Sequence, residues 1–78
     1  MAAPRRFRIA NRRREALTLV LEPWANEYPL PPGDEVEILE EGPISGDPLE
    51  VYFEAAHVVV YARMGTFLRI FQDGLELR

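Results

Sequence analysis

Leu17, Leu19 and Leu21 alternate with Thr18, Val20 and Glu22, a period of two that sets an apolar face along a β-strand. Pro23 ends it, because proline has no N–H to offer a ladder. The pattern then recurs. Across residues 34–41, Val36 and Ile38 oppose Glu35, Glu37 and Glu41, with Leu39 the apolar exception on the wet side. Leu49, Val51 and Phe53 oppose Glu50, Tyr52 and Glu54, and His57 to Ala62 is apolar and β-branched on both sides. Residues 66–71 make a further strand, and the chain returns through Leu75-Glu76-Leu77.

The breaks between these segments have turn chemistry. Pro31-Pro32-Gly33-Asp34 reads as a type II turn, with Pro32 presetting the first central φ and Gly33 accepting the positive second one. Asp73-Gly74 is a type I′ signal. Ala55-Ala56 links a hairpin without the Asn-Gly or Asp-Gly that a tight loop prefers, so a wider turn is expected. Gly42-Pro43 and Gly46-Asp47-Pro48 bracket a polar loop, and Arg63-Met64-Gly65 is another break.

No segment from residue 15 onward keeps apolar residues at spacings of three and four. The expectation is therefore an all-β domain, a small antiparallel sandwich or barrel of six to seven short strands. An α+β arrangement with a helix from Phe7 to Leu17 is the alternative. Facing inward would be Leu17, Leu19, Leu21, Val36, Ile38, Leu49, Val51, Phe53, Val58, Val60, Leu68 and Ile70. That leaves Val20, Tyr52, Val59, Tyr61, Phe67 and Phe71 on opposite faces, too apolar a set for ordinary surface, and marks them as interface candidates.

Charge divides the chain unevenly. Residues 1–14 hold Arg5, Arg6, Arg8, Arg12, Arg13 and Arg14 and no acid, while the remainder holds three arginines and all thirteen acids. Six like charges at a terminus predict a flexible basic arm over residues 1–14, followed by one β domain over residues 15–78. The other readings of the arm are a nucleic-acid or anionic-membrane contact, or a strap whose Phe7 and Ile9 dock while its arginines meet the body's carboxylates. A body of formal charge −10 would repel a duplex, so only the arm could serve.

At 78 residues the chain has room for one domain whose core is small. It has no cysteine, which excludes disulfide staples and thiolate zinc sites. Homodimerisation is the expected compensation. All nine basic residues are arginine, which suggests a GC-rich bacterial genome. Neither a membrane-length apolar run nor a signal-peptide h-region occurs, so a cytoplasmic location is expected.

Residues that could carry chemistry are few. His57 is the single histidine, and an imidazole without partners at a strand start reads as surface. Ser45 lies in the Gly/Pro loop with no nucleophile elbow. Glu22 and Glu27 flank Trp24, but their spacing alone does not bring them together as an acid/base pair. No calcium loop or phosphate-binding glycine loop is present. The sequence thus points to no enzyme, cofactor or metal. Trp24 and Tyr28 form a candidate ligand corner for a base, a proline-rich peptide or a sugar ring, although burial in the core corner is favoured for both.

Pro31-Pro32-Gly33 leading into an alternating strand, with the Gly-Pro and Gly-Asp-Pro turns after it, resembles half of a cupin jelly roll. Cupins carry a His-x-His motif with a downstream Glu and His, so that family's metal chemistry does not transfer to a chain whose only histidine is His57. Leu21-Glu22-Pro23-Trp24 and Leu30-Pro31-Pro32-Gly33, ending in Asp73-Gly74, are similar to short uncharacterised bacterial β-proteins. That resemblance spans most of residues 17–77 and implies a fold and no activity. The expected function is that of a non-enzymatic interaction or structural module, binding itself or another protein.

Overall fold

The computed structural model describes residues 4–43 and 49–77. Among them eight strands follow in chain order: β1 (Arg5–Ala10), β2 (Leu17–Glu22), β3 (Asn26–Leu30), β4 (Glu35–Glu41), β5 (Glu50–Glu54), β6 (His57–Tyr61), β7 (Phe67–Gln72) and β8 (Leu75–Glu76). They build two four-stranded sheets, A in the order β1-β4-β7-β8 and B in the order β3-β2-β6-β5. Both sheets keep free edges, so of the two expected all-β architectures this is the sandwich. Pairing is antiparallel throughout except for β2 with β6, which run parallel.

The alternating pattern does what its period requires. Leu17, Leu19, Leu21, Leu30, Val58 and Val60 enter the core from sheet B, and Val36, Ile38 and Ile70 from sheet A. Burying each such side chain stabilises by about 1.5–3 kcal/mol relative to leaving it in water. Leu49 and Leu68 pack against this cluster as expected. Val51 and Phe53 share the inward register of Val60 and Val58, yet they are 38% and 77% exposed, at the edge of sheet B that β5 forms.

Turn chemistry is also realised. Gly33 has φ of 87° and the Asp34 N–H donates to the Pro31 carbonyl at 3.0 Å, which closes the type II turn that carries the chain from sheet B to sheet A. Asp73 and Gly74 have φ of 52° and 80°, the two positive values of a type I′ loop. The β5–β6 hairpin is tighter than its sequence suggests. Glu54 and His57 are direct partners, and Ala55 takes φ of 50°, where glycine would be unstrained.

Two segments depart from expectation. Residues Arg5–Ala10 are not a free arm: they form β1, paired along its length with β4. The pairing alternates the arginines with Phe7 and Ile9, which turn inward onto the core, while Arg6 meets Glu37 at 3.4 Å. This is the strap arrangement, and it excludes a helix from Phe7 to Leu17. The second departure is β3, which runs through the proline-rich corner. It lies at an edge of sheet B, where the missing N–H of Pro29 costs no ladder bond.

Polar groups fasten both ends of the sandwich. Asn11 is 1% exposed; its Nδ2 donates to the carbonyls of Glu15 and Leu30, both at 2.8 Å, and its Oδ1 accepts from the Arg13 N–H at 2.9 Å. The segment after β1 is thereby tied to the end of β3. At the other end Glu40, inward-facing and 0% exposed, receives two hydrogen bonds from Arg63, each 3.0 Å. A bidentate guanidinium fork satisfies both carboxylate oxygens, the condition under which burying such a pair is tolerated. Nearby, a Cβ on Gly42 would stand 2.7 Å from the Gly65 carbonyl oxygen, so that crossing requires glycine.

Candidate functional site

The outward face of sheet B gathers residues from four strands. Register places Glu54 beside His57 and Thr18, Tyr52 beside Val59, Val20 and Glu27, and Glu50 beside Tyr61 and Glu22. Two valines and two tyrosines thus form an apolar centre bordered by four carboxylates. The Tyr52 and Tyr61 rings meet edge to face with centroids 5.6 Å apart, a favoured aromatic geometry. The face holds an open groove of about 470 Å³ lined by Val20, Glu22, Glu50, Tyr52, Val59 and Tyr61.

Its electrostatics are one-sided. Glu22, Glu27, Glu50 and Glu54 supply four negative charges, and no strand position of this face holds an arginine. Arg13 reaches only the rim, where its Nη1 donates to the Ala55 carbonyl at 3.3 Å. The Tyr52 hydroxyl donates to the Glu50 carboxylate. That hydrogen bond, reinforced by the carboxylate's charge, holds the phenol above its ordinary pKa.

The outward face of sheet A shares the glutamates and aromatic side chains but adds Arg6, Arg8 and Arg69, and reaches a different result. Leu39, the apolar exception in the acidic strand, is 8% exposed because it lies between Arg6 and Arg69, whose aliphatic stems cover it. Their heads are held in place. Arg6 pairs with Glu37, and Arg69 bonds Glu41 at 3.0 Å and Glu76 at 2.8 Å. The two carboxylates, Glu76 above all, raise the Arg69 pKa, and its guanidinium sits 5.2 Å from the Phe71 ring centroid. A groove of about 720 Å³ on this side mixes Arg6 and Arg8 with Asp34, Glu35, Glu37 and Asp73, so its carboxylates are offset in part.

The expected interface set is therefore divided. Val20, Tyr52, Val59 and Tyr61 lie together on sheet B, whereas Phe67 and Phe71 lie on the outward side of sheet A. The ligand corner is divided too. Tyr28 turns inward and packs on the core. Trp24 does not fill the corner: it is 39% exposed and stacks on Phe67 with centroids 6.3 Å apart and planes 16° apart. Its turn projects past Leu21, where the inner face has ended.

The remaining candidates are dispersed. Of the arginines, Arg5, Arg8, Arg12 and Arg14 are exposed, Arg6 is paired with Glu37, and Arg13 is shared between Ala55 and Glu15. His57 is exposed at the start of β6. Glu22 and Glu27 do share the outward face of sheet B, which their spacing alone could not reveal. Ser45 and the Gly46-Asp47-Pro48 turn fall outside the described residues. Among the described residues no three His, Asp or Glu side chains are grouped to hold a metal ion, and no helix is long and apolar enough to cross a membrane.

Fold and faces together define a two-sheet β-sandwich with one outer surface of mixed charge and one that is acidic and aromatic. No family model matches the chain, and neither a curated protein nor a solved structure is significantly similar to it.

Proposed function

We propose that this protein is a non-enzymatic interaction module that binds a cationic segment of a partner protein on the outward face of sheet B. One observation carries the reading: four carboxylates surround an apolar, tyrosine-centred groove that contains no arginine. Arginine or lysine side chains suit it chemically. Their heads complement the carboxylates, their stems cover Val20 and Val59, and a guanidinium over Tyr52 or Tyr61 gains cation–π attraction. A second copy presenting the same face would set acids against acids, so charge favours a basic partner here over face-to-face self-association. Nucleic acid is disfavoured by the same charges, and the arginines on the other side stand among carboxylates.

The test is fluorescence anisotropy with a labelled peptide alternating arginine and valine. Binding should be detectable at low salt, weaken steeply as ionic strength rises, and fall at least ten-fold in Glu22→Lys. Glu35→Lys, the same charge change on sheet A, should leave most of the affinity. Equal losses in the two variants, or a wild-type protein that ignores the peptide at low salt, would overturn the reading.

A further inference from the structure

Of the four sheet edges, two are closed to further pairing by their own strands. β3 carries Pro29, and β8 is two residues long. The other two, β1 and β5, are six and five residues long without an internal proline, and edges of that kind are templates for another strand. A groove between Tyr28 of β3 and Leu68, Ile70 and Leu77 beside β8 shows that the closed edges flank one side of the sandwich. Strand order then puts β1 and β5 together on the opposite side. They run in the same direction there, since Arg13, just past the end of β1, bonds the carbonyl of Ala55, just past the end of β5.

These open edges are complementary rather than alike. The outward positions of β1 carry Arg6 and Arg8, and those of β5 carry Glu50 and Glu54. Between the sheets, Phe53 is 77% exposed and Val51 38% exposed, and Phe7 and Ile9 are only partly buried.

We propose that this side is the interface of a two-fold homodimer in which β1 of each copy pairs, in parallel, with β5 of the other. A two-fold axis parallel to the strands brings sheet A of one copy edge to edge with sheet B of its partner, twice over. Arginines then meet glutamates on the outside, while Phe7 and Ile9 meet Val51 and Phe53 within. The competing arrangement, β1 on β1 and β5 on β5, sets like charges opposite one another. This inference shares Glu50 and Glu54 with the cationic-segment reading but not Glu22 and Glu27, and light scattering on the chain alone can fail without the peptide experiment failing.

Light scattering coupled to size exclusion tests it on the full chain. Wild type at tens of micromolar should show twice the 9.0 kDa chain mass. Phe53→Lys changes a side chain that is already in water, so its circular dichroism should be unchanged, while the dimer dissociation constant should rise at least ten-fold. Glu50→Arg/Glu54→Arg should be equally impaired alone, and mixing it with Arg6→Glu/Arg8→Glu should restore a dimer. A wild-type monomer up to hundreds of micromolar would overturn the proposal. So would a dimer indifferent to Phe53→Lys, or one retained by Glu50→Arg/Glu54→Arg, which is the result that β5-on-β5 pairing requires.

Discussion

The two outward faces of this sandwich both place glutamate and aromatic side chains on their strands, and only the one that also carries arginine closes over itself. On sheet A, arginines from β1 and β7 straddle Leu39, and carboxylates from β4 and β8 pin them there. On sheet B the corresponding centre is Val20 and Val59, flanked by tyrosines and ringed by acids with no guanidinium among them. The lesson is that glutamates and aromatic side chains alone do not separate a finished surface from an available one. What separates them is whether each charge finds its opposite on a neighbouring strand. Sheet A spends its arginines on its own leucine, and sheet B is left with a charge that only another molecule can neutralise.

The interior sets the upper bound against which the faces can be compared. Glu40→Ala should be the most damaging change, costing about 3–5 kcal/mol by leaving the Arg63 guanidinium buried without its carboxylate. That is a large share of the stability of a small domain, and urea denaturation would register it as loss of most or all of the folded population. Between the faces, Leu39→Ala should cost about 2–3 kcal/mol, as a core truncation does, whereas Val59→Ala should cost about 1 kcal/mol or less. Equal losses at the two positions would break the distinction drawn between them.

The smallest effect concerns the Tyr52 phenol. Its pKa is raised in the folded state by the hydrogen bond to Glu50, so the bond's contribution is complete below the unfolded value of about 10. It is lost as pH rises through the folded value. Absorbance titration of the tyrosines should show one late-ionising phenol that reverts toward ordinary behaviour in Glu50→Gln. A titration unchanged by that substitution would remove the bond from the description of the face.

Much of the fold was legible because local alternation and local turns decide it. β2, β4 and β5 follow the period-two pattern, β6 is a β-branched apolar run, and the turns at Gly33 and Gly74 have the φ values their residues announce. β1 was not legible, since six arginines in one stretch look self-repelling, and nothing in the stretch itself shows Arg6 and Arg8 meeting the acids of β4 while Phe7 and Ile9 turn inward. Nor was β3, because a proline reads as a break unless the strand is known to be an edge. For the face, parity alone identified Val20, Tyr52, Val59 and Tyr61. Parity also put Glu50 and Glu54 beside Tyr52 and Glu22 beside Val20, but not the two groups together, because Glu22 meets Tyr61 only through the parallel β2–β6 pairing, a contact that no hairpin implies. Glu40 did leave a trace: it occupies the inward register of Val36 and Ile38, where an acid is out of place, although nothing nearby in the chain named Arg63 as its partner.

The central claim is that the outward face of sheet B, and not that of sheet A, is the surface available to a basic partner. Amide chemical-shift mapping during titration with the alternating arginine–valine peptide tests it most directly. The account predicts perturbations concentrated on β2, β5 and β6 and centred on Val20, Tyr52, Val59 and Tyr61, with the amides around Leu39 unmoved. Perturbations centred on β4 and β7, or spread evenly over both sheets, would contradict it.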